Sequence, residues 1–409
     1  MSSPRLPEEL QDYIVDLLHN MEVTLRTCSL VSKSWLPRTR RHLFADIKFQ
    51  DAHDLQSWKT VFPDPYASPA YLYTRVLSIS CPLEVVAAHE EEGCWIRAFS
   101  HIAKLEIIEV WDNRSNPSLV PLYGVFPAIK SLSIFVANLT RLQVSGFIKT
   151  FPLLEDISVT LDTSWHTPEF DHTDELPNPL RPPAPPPFTG SLKLSGEQGV
   201  LTIVPQLFLP LGNLPFQGLG LTIHSEQDFL LATELVDRCS STLVIIDIEH
   251  HAPRMSIYCA DLRQELTMFV DASPSPTQWI DLSKATKLKE GEFVCHLDPK
   301  WIAGSLRTIT HNHRDLKWIR IDIPHAFDRS GSGLNDLIRL THAAGEGVYQ
   351  RWLELDRILA QLQESHSIRL TVYYDPPTGM SRARVRGYMS NLLPVVMTRG
   401  IVELVQGIY

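Results

Sequence analysis

A short phrase recurs along this chain: an apolar residue, two of any kind, a second apolar residue, one of any kind, a third apolar residue. It reads IAKLEI (102–107), IKSLSI (129–134), LEDISV (154–159), FQGLGL (216–221), LVIIDI (243–248) and LKWIRI (316–321). Copies lacking the first apolar residue are TRVLSI (74–79), TGSLKL (189–194) and SHSIRL (365–370). The alternation that closes each phrase is that of a strand with one buried face. The central residues are Leu77, Leu105, Leu132, Ile157, Leu192, Leu219, Ile246, Ile319 and Ile368. Successive intervals are 28, 27 and 25 residues up to Ile157, then 27 and 27 from Leu192 to Ile246. Such a period holds one strand and one return segment, so each copy must bury its apolar side against its neighbours.

The return segments read as helices. Ser225, with Asp228 three residues on, forms a capping-box pattern. Asp298-Pro299 precedes Trp301, Ile302 and Ile309, and Trp352, Leu355, Leu359 and Leu362 form one helical stripe. Strand–helix alternation at this period predicts an α/β fold, a curved solenoid with a parallel sheet and outer helices over residues 74–375. The gap from Ile157 to Leu192 holds a Pro-rich loop, 168–187, expected on the surface. The gap from Ile246 to Ile319 has room for two repeats, one of them LKEGEFVC (288–295) with Gly291 at an apolar position. Residues between the apolar positions share the opposite, concave face. They are small or hydroxylic in the middle repeats and charged from Asp247 onward. Asp247, Glu249, Trp318, Arg320 and Asp322 are therefore the expected target-binding residues.

Ahead of the repeats lies LPEELQDYIVDLLHNMEVTLRTCSLVSKSWLPRTRRHLF (6–44). Pro7, Glu8 and Glu9 suit a first helical turn, Leu10, Ile14, Leu17 and Leu18 make one apolar face, and Asn20 suits the helix end. Thr24 is a candidate cap for a second helix carrying Leu25 and Cys28. Three short helices cannot bury this much apolar surface among themselves, so part of it must face the rest of the chain or a partner.

The string L-P-x-E-L-x-x-x-I followed by L-x-x-C-S-L-V-S-K-S-W resembles the F-box, the three-helix module that docks on the Skp-type adaptor of cullin–RING ubiquitin ligases. The matching positions are Leu6, Pro7, Glu9, Leu10, Ile14, Leu18, Leu25, Cys28, Ser29, Leu30, Val31, Ser32 and Trp35, with Met21, Glu22 and Val23 replacing the usual turn. The resemblance implies adaptor contact through Leu6, Pro7, Leu10, Ile14, Cys28 and Val31, with Leu18, Leu30 and Trp35 internal. The repeats resemble leucine-rich repeats, in the degenerate form found in fungal F-box proteins, without the consensus asparagine. Together these resemblances imply an F-box at 1–48, a linker at 49–73, the solenoid, and a helical cap at 376–409. The implied function is substrate recognition in a Skp–cullin–F-box ligase, bridging the adaptor (and through it a cullin) to a protein target. The alternative is a non-catalytic scaffold that binds the adaptor or other proteins outside a ligase.

Other function classes find little support. A net charge of −10 disfavours nucleic acid as the main partner. The longest apolar run, VLTIVPQLFLPLGNL, is broken by Pro205 and Pro210 and is too short to span a bilayer. Six scattered cysteines without a C-x-x-C pair, and no apolar leader, point to the cytoplasm or nucleus. No enzyme activity, cofactor or metal is expected. His250-His251 and His311-Asn312-His313 lack carboxylate or thiol ligands at metal spacing. HEEEG (89–93) is not a zinc motif, and RSGSGLND (329–336) lacks the lysine of a phosphate loop. RARVR (382–386) spreads its arginines around a helix, and RPPAPPPF reads as a stiff loop.

Overall fold

The computed structural model describes residues 6–80, 95–108, 122, 124–135, 141–161, 188–196, 200–208, 211–250, 279–294, 299–323, 346–374 and 382–406. The described residues up to Leu161 form one compact unit and those from Phe188 onward a second. The first opens with helices α1 (Glu8–Leu17), α2 (Glu22–Val31) and α3 (Leu36–Leu43). It continues through β1 (Asp46–Phe49), α4 (Ala52–Val61), α5 (Pro69–Tyr73), β2 (Val76–Ile79), β3 (Lys104–Ile108), β4 (Ser131–Phe135), α6 (Arg141–Ile148) and β5 (Asp156–Leu161). The second runs through β6 (Ser191–Gly196), α7 (Val204–Leu207), β7 (Gly218–Ile223), α8 (Glu226–Cys239), β8 (Ile245–His250) and β9 (Glu290–Val294). It ends with α9 (Lys300–Arg307), β10 (Trp318–Ile323), α10 (Glu346–His366), β11 (Arg369–Tyr374), α11 (Arg382–Leu392), α12 (Pro394–Thr398) and β12 (Val402–Gln406).

Within each unit the strands are parallel and lie side by side in chain order, the α/β arrangement that the repeat spacing predicts. One register position runs through Ile47, Leu77, Leu105, Leu132 and Ile157 in the first unit. In the second it runs through Leu192, Leu219, Ile246, Gly291, Ile319, Leu370 and Val402. Together with the row two residues further on (from Phe49 and Ile79 to Val372 and Leu404), these residues supply each sheet's buried apolar side. Gly291 occupies its apolar position for a steric reason: a Cβ there would lie 2.9 Å from the Phe293 ring, which fills the space instead. On the helical side Trp301, Ile302 and Leu306 of α9 and Trp352, Leu355, Leu359 and Leu362 of α10 are buried. Phe188, Phe208 and Phe216 form an aromatic cluster with centroids 5.3 to 5.7 Å apart.

Several details differ from the sequence reading. β9 pairs with both β8 and β10, so a single strand fills the interval that had room for two repeats. In β11 the register residue is Leu370, not Ile368, which is buried just before the strand. The stretch 49–73 contains the end of β1 as well as α4 and α5, anchored by the buried Leu55 and Ala70. Asp51 caps α4, its carboxylate accepting from the Asp54 amide at 2.8 Å. The stretch 376–409 holds α11 and α12 and also β12, which pairs with β11. α1 ends at Leu17, short of Asn20, and α2 begins at Glu22 after Met21, so Thr24 lies inside α2 rather than capping it. The Ser225–Asp228 capping box is formed. The Pro-rich loop 168–187, HEEEG and RSGSGLND lie outside the described residues. No helix among the described residues is long and apolar enough to cross a membrane.

Candidate docking surfaces

Of the three N-terminal helices, α1 and α2 carry apolar residues that face outward. On α1, Leu10, Tyr13, Ile14 and Leu17 recur at helical spacing and are all exposed, Leu10 to 50% and Leu17 to 62%. The side facing α3 is instead Val15, fully buried, with Gln11 and Asp16. Gln11 Oε1 accepts from Trp35 Nε1 at 2.7 Å and from Ser34 Oγ at 2.9 Å. Asp16 accepts from Arg38 Nε at 2.6 Å and Arg38 Nη2, and pairs with His42 Nε2 at 2.7 Å. The hydrogen bonds from Arg38, then those from His42, hold the Asp16 carboxyl well below the usual carboxylate range. A polar interior of this kind frees the apolar stripes from holding the helices together.

α2 repeats the arrangement. Leu25 and Cys28 point inward, while Val23, Leu30 and Val31 are exposed. Among the described residues, nine of the eighteen exposed large apolar side chains fall between Leu6 and Val31. So dense a patch is a candidate interaction surface. Leu6, Pro7, Leu10, Ile14 and Val31, all expected at an adaptor contact, are exposed. Cys28, expected at the contact, is only 9% exposed because it faces inward beside Leu25. Leu30, expected inside, is 87% exposed because it lies on the same side of α2 as Val23 and Val31.

A second surface is the polar face of the second unit's sheet. Asp247 on β8, Glu292 on β9, Arg320 on β10 and Thr371 on β11 are successive register partners. Glu249, Asp322 and Tyr373 lie on a parallel row, two residues along. Arg320 donates from Nε and Nη2 to the two carboxylate oxygens of Asp322 at 2.6 and 2.7 Å. Its Nη1 lies 3.2 Å from Glu292 Oε1, and its guanidinium carbon sits 3.7 Å over the Tyr373 ring. Trp318 donates from its indole nitrogen to Thr371 Oγ1 at 3.0 Å. Lys193 crosses Gly220, its Cγ 3.2 Å from where a Cβ would sit, which a side chain there would obstruct. Burial pushes the Asp247 carboxyl up, an effect that Lys193 opposes. Burial and then the Asp247 charge push Glu292 up to about 7.

The structure therefore brings Asp247, Glu249, Trp318, Arg320 and Asp322 onto one face, as the alternation predicts, and adds Glu292, Thr371 and Tyr373. Glu292 was hidden in a phrase broken by Gly291; its only signal was its place between Gly291 and Phe293. Of the other motifs, His313 is buried and structural: its Nδ1 accepts from the Thr310 amide at 3.0 Å, and its Nε2 lies 2.9 Å from the Leu282 carbonyl oxygen. Asp51, His53 and Asp54 are close enough to share a cation. Both carboxylates are engaged in capping α4, with the Gln50 amide 3.0 Å from Asp54 Oδ2. No protein-family model and no curated protein matches this chain.

Proposed function

We propose that this protein is the substrate-recognition subunit of a Skp–cullin–F-box ubiquitin ligase. The observation that carries the reading is the outward apolar face of α1 and α2, a docking surface built on the segment that resembles an F-box. On this reading Leu6, Pro7, Leu10, Ile14, Leu30 and Val31 seat on a Skp-type adaptor, and Cys28 supports them from within. Burying each such aliphatic side chain contributes about 1.5–3 kcal/mol, so a handful suffices for a stable complex after the cost of association. The repeats take the part of a leucine-rich-repeat-like solenoid, whose polar face offers Asp247, Glu249, Trp318, Arg320 and Asp322 to a protein target. The chain supplies no nucleophile on this reading. It holds the target beside a charged conjugating enzyme and so raises the effective concentration of the target's lysines.

The test is capture by purified Skp-type adaptor of the full chain and of a Leu10→Glu, Ile14→Glu double variant. Both positions are exposed, so the variant should keep the wild-type melting temperature while capture falls at least a hundredfold. Equal capture of the two proteins, or no capture of the wild type, refutes the proposal.

A further inference from the structure

We propose that Glu292, held beside Asp247, is a pH-sensitive switch that sets the charge of the polar face of the second unit. The two carboxylates are direct register partners on adjacent parallel strands, whose backbones run about 4.8 Å apart, and both side chains point to the same half-buried face. Like charges placed opposite one another on neighbouring strands repel. When two carboxyls share a partly desolvated site, one of them retains its proton to a higher pH.

The surrounding charges do not cancel this repulsion. From β6 comes Lys193, whose stem lies across Gly220; β7 adds Gly220 and Thr222, which carry no charge. On β8 and β9 themselves stand Glu249 and Glu290, both negative. β10 contributes Arg320 and Asp322, and β11 contributes Thr371, Tyr373 and Arg369, the last ion-paired with Glu403 of β12. Arg320 is the nearest cation to Glu292, yet two of its donors are committed to Asp322 and its flat face to Tyr373. With Arg369 and Glu403 counted, six carboxylates face three cations, and a proton on Glu292, where it can hydrogen-bond Asp322, is the cheapest relief. Burial raises both groups, and together with the Asp247 charge and the neighbouring Asp322 it carries Glu292 to about 7.

The sign follows from linkage. An unfolded chain releases the Glu292 proton in the ordinary glutamate range, near pH ~4.3, whereas the folded chain holds it to about 7. Between those limits the folded state binds more protons, so stability falls as pH rises across the window and levels off above it. Over the same window the face gains about one negative charge. The switch belongs to the second unit and stands whether or not that face receives a target.

The test is a titration of the full chain labelled with 13C at glutamate carboxyls, the Glu292 resonance being identified by its loss in Glu292→Gln. The expected midpoint is near 7, and Asp247→Asn should move it down by at least one pH unit. In parallel, the melting temperature of the wild type should fall relative to Glu292→Gln between pH 5 and pH 7.5. A Glu292 midpoint below about 5 in the wild type overturns the proposal, as does a midpoint that Asp247→Asn leaves in place.

Discussion

Helices α1 and α10 carry the same kind of pattern and use it in opposite ways. On α10 the stripe of Trp352, Leu355, Leu359 and Leu362 is buried against its own unit. On α1 the stripe of Leu10, Tyr13, Ile14 and Leu17 faces solvent, and the helix is held instead by Val15, Gln11 and Asp16. Amphipathic spacing states that a face needs covering; it does not state by what. In α10 the cover is α9, α12, α11 and β11, whereas α1 sits beside the polar residues of α3, which hold it by hydrogen bonds and leave the stripe open.

The contrast can be broken most directly at Trp352. Trp352→Ala removes a fully buried indole and should cost about 3–5 kcal/mol in urea denaturation. Leu17→Ala, in the stripe that faces outward, should stay within about 0.5 kcal/mol of wild type. A comparable loss at both positions would mean that the α1 stripe is covered by the chain itself. Next in size is Asp356, buried on α10, whose carboxylate accepts from the amides of Val395 and Val396 at 2.7 and 3.0 Å and so caps α12. Asp356→Ala leaves two amides unpaired and should cost about 2–3 kcal/mol, with the amides of α12 exchanging hydrogen faster. Among the anchoring residues the smallest loss is expected at Asp16, the polar anchor of α1, which is part-exposed and therefore screened. Asp16→Asn should cost about 1 kcal/mol or less. Because the folded carboxyl is held low, its contribution is present above the ordinary carboxylate range and fades as pH falls below ~4. The gap between wild type and Asp16→Asn should close in melts taken below that pH.

The polar faces of the two units offer a second contrast. In the first unit Lys48, Ser78, Ser133 and Ser158 share a row with Glu106. Burial raises the Glu106 carboxyl, but hydrogen bonds from Lys104 at 2.6 Å and Ser78 at 2.6 Å outweigh it and bring the group below its usual range. In the second unit Glu292 has Asp247 as its neighbour and moves the other way. The same residue type in the same row is thus low in one unit and high in the other, according to its lateral neighbour.

Much of the fold was legible because strand and helix periods are local properties. Leu105, Leu132, Ile157, Leu219, Ile246 and Ile319 are buried on parallel strands in chain order, as their spacing requires. Gly291 was placed from the interval alone. FADIKF (44–49) also carries the full phrase, and its Ile47 joins the register row through β1. At β11 the choice between Ile368 and Leu370 was undetermined, since a two-residue slip keeps every side chain on its face and both residues are buried.

What the sequence determined by itself was therefore the period, the alternation within each strand and the identity of the residues that must leave water. The tertiary structure alone decided direction and neighbour. It turned the α1 stripe and Leu30 outward while Cys28 went in, because the Gln11–Trp35 and Asp16–Arg38 pairs join residues more than twenty positions apart. It also set Glu292 beside Asp247, across a 45-residue interval, where the Asp247 charge raises the Glu292 carboxyl. Burial of a periodic face is favoured by the residues themselves, whereas the partner of a face and the sign of a neighbouring charge arise only when distant segments are brought side by side.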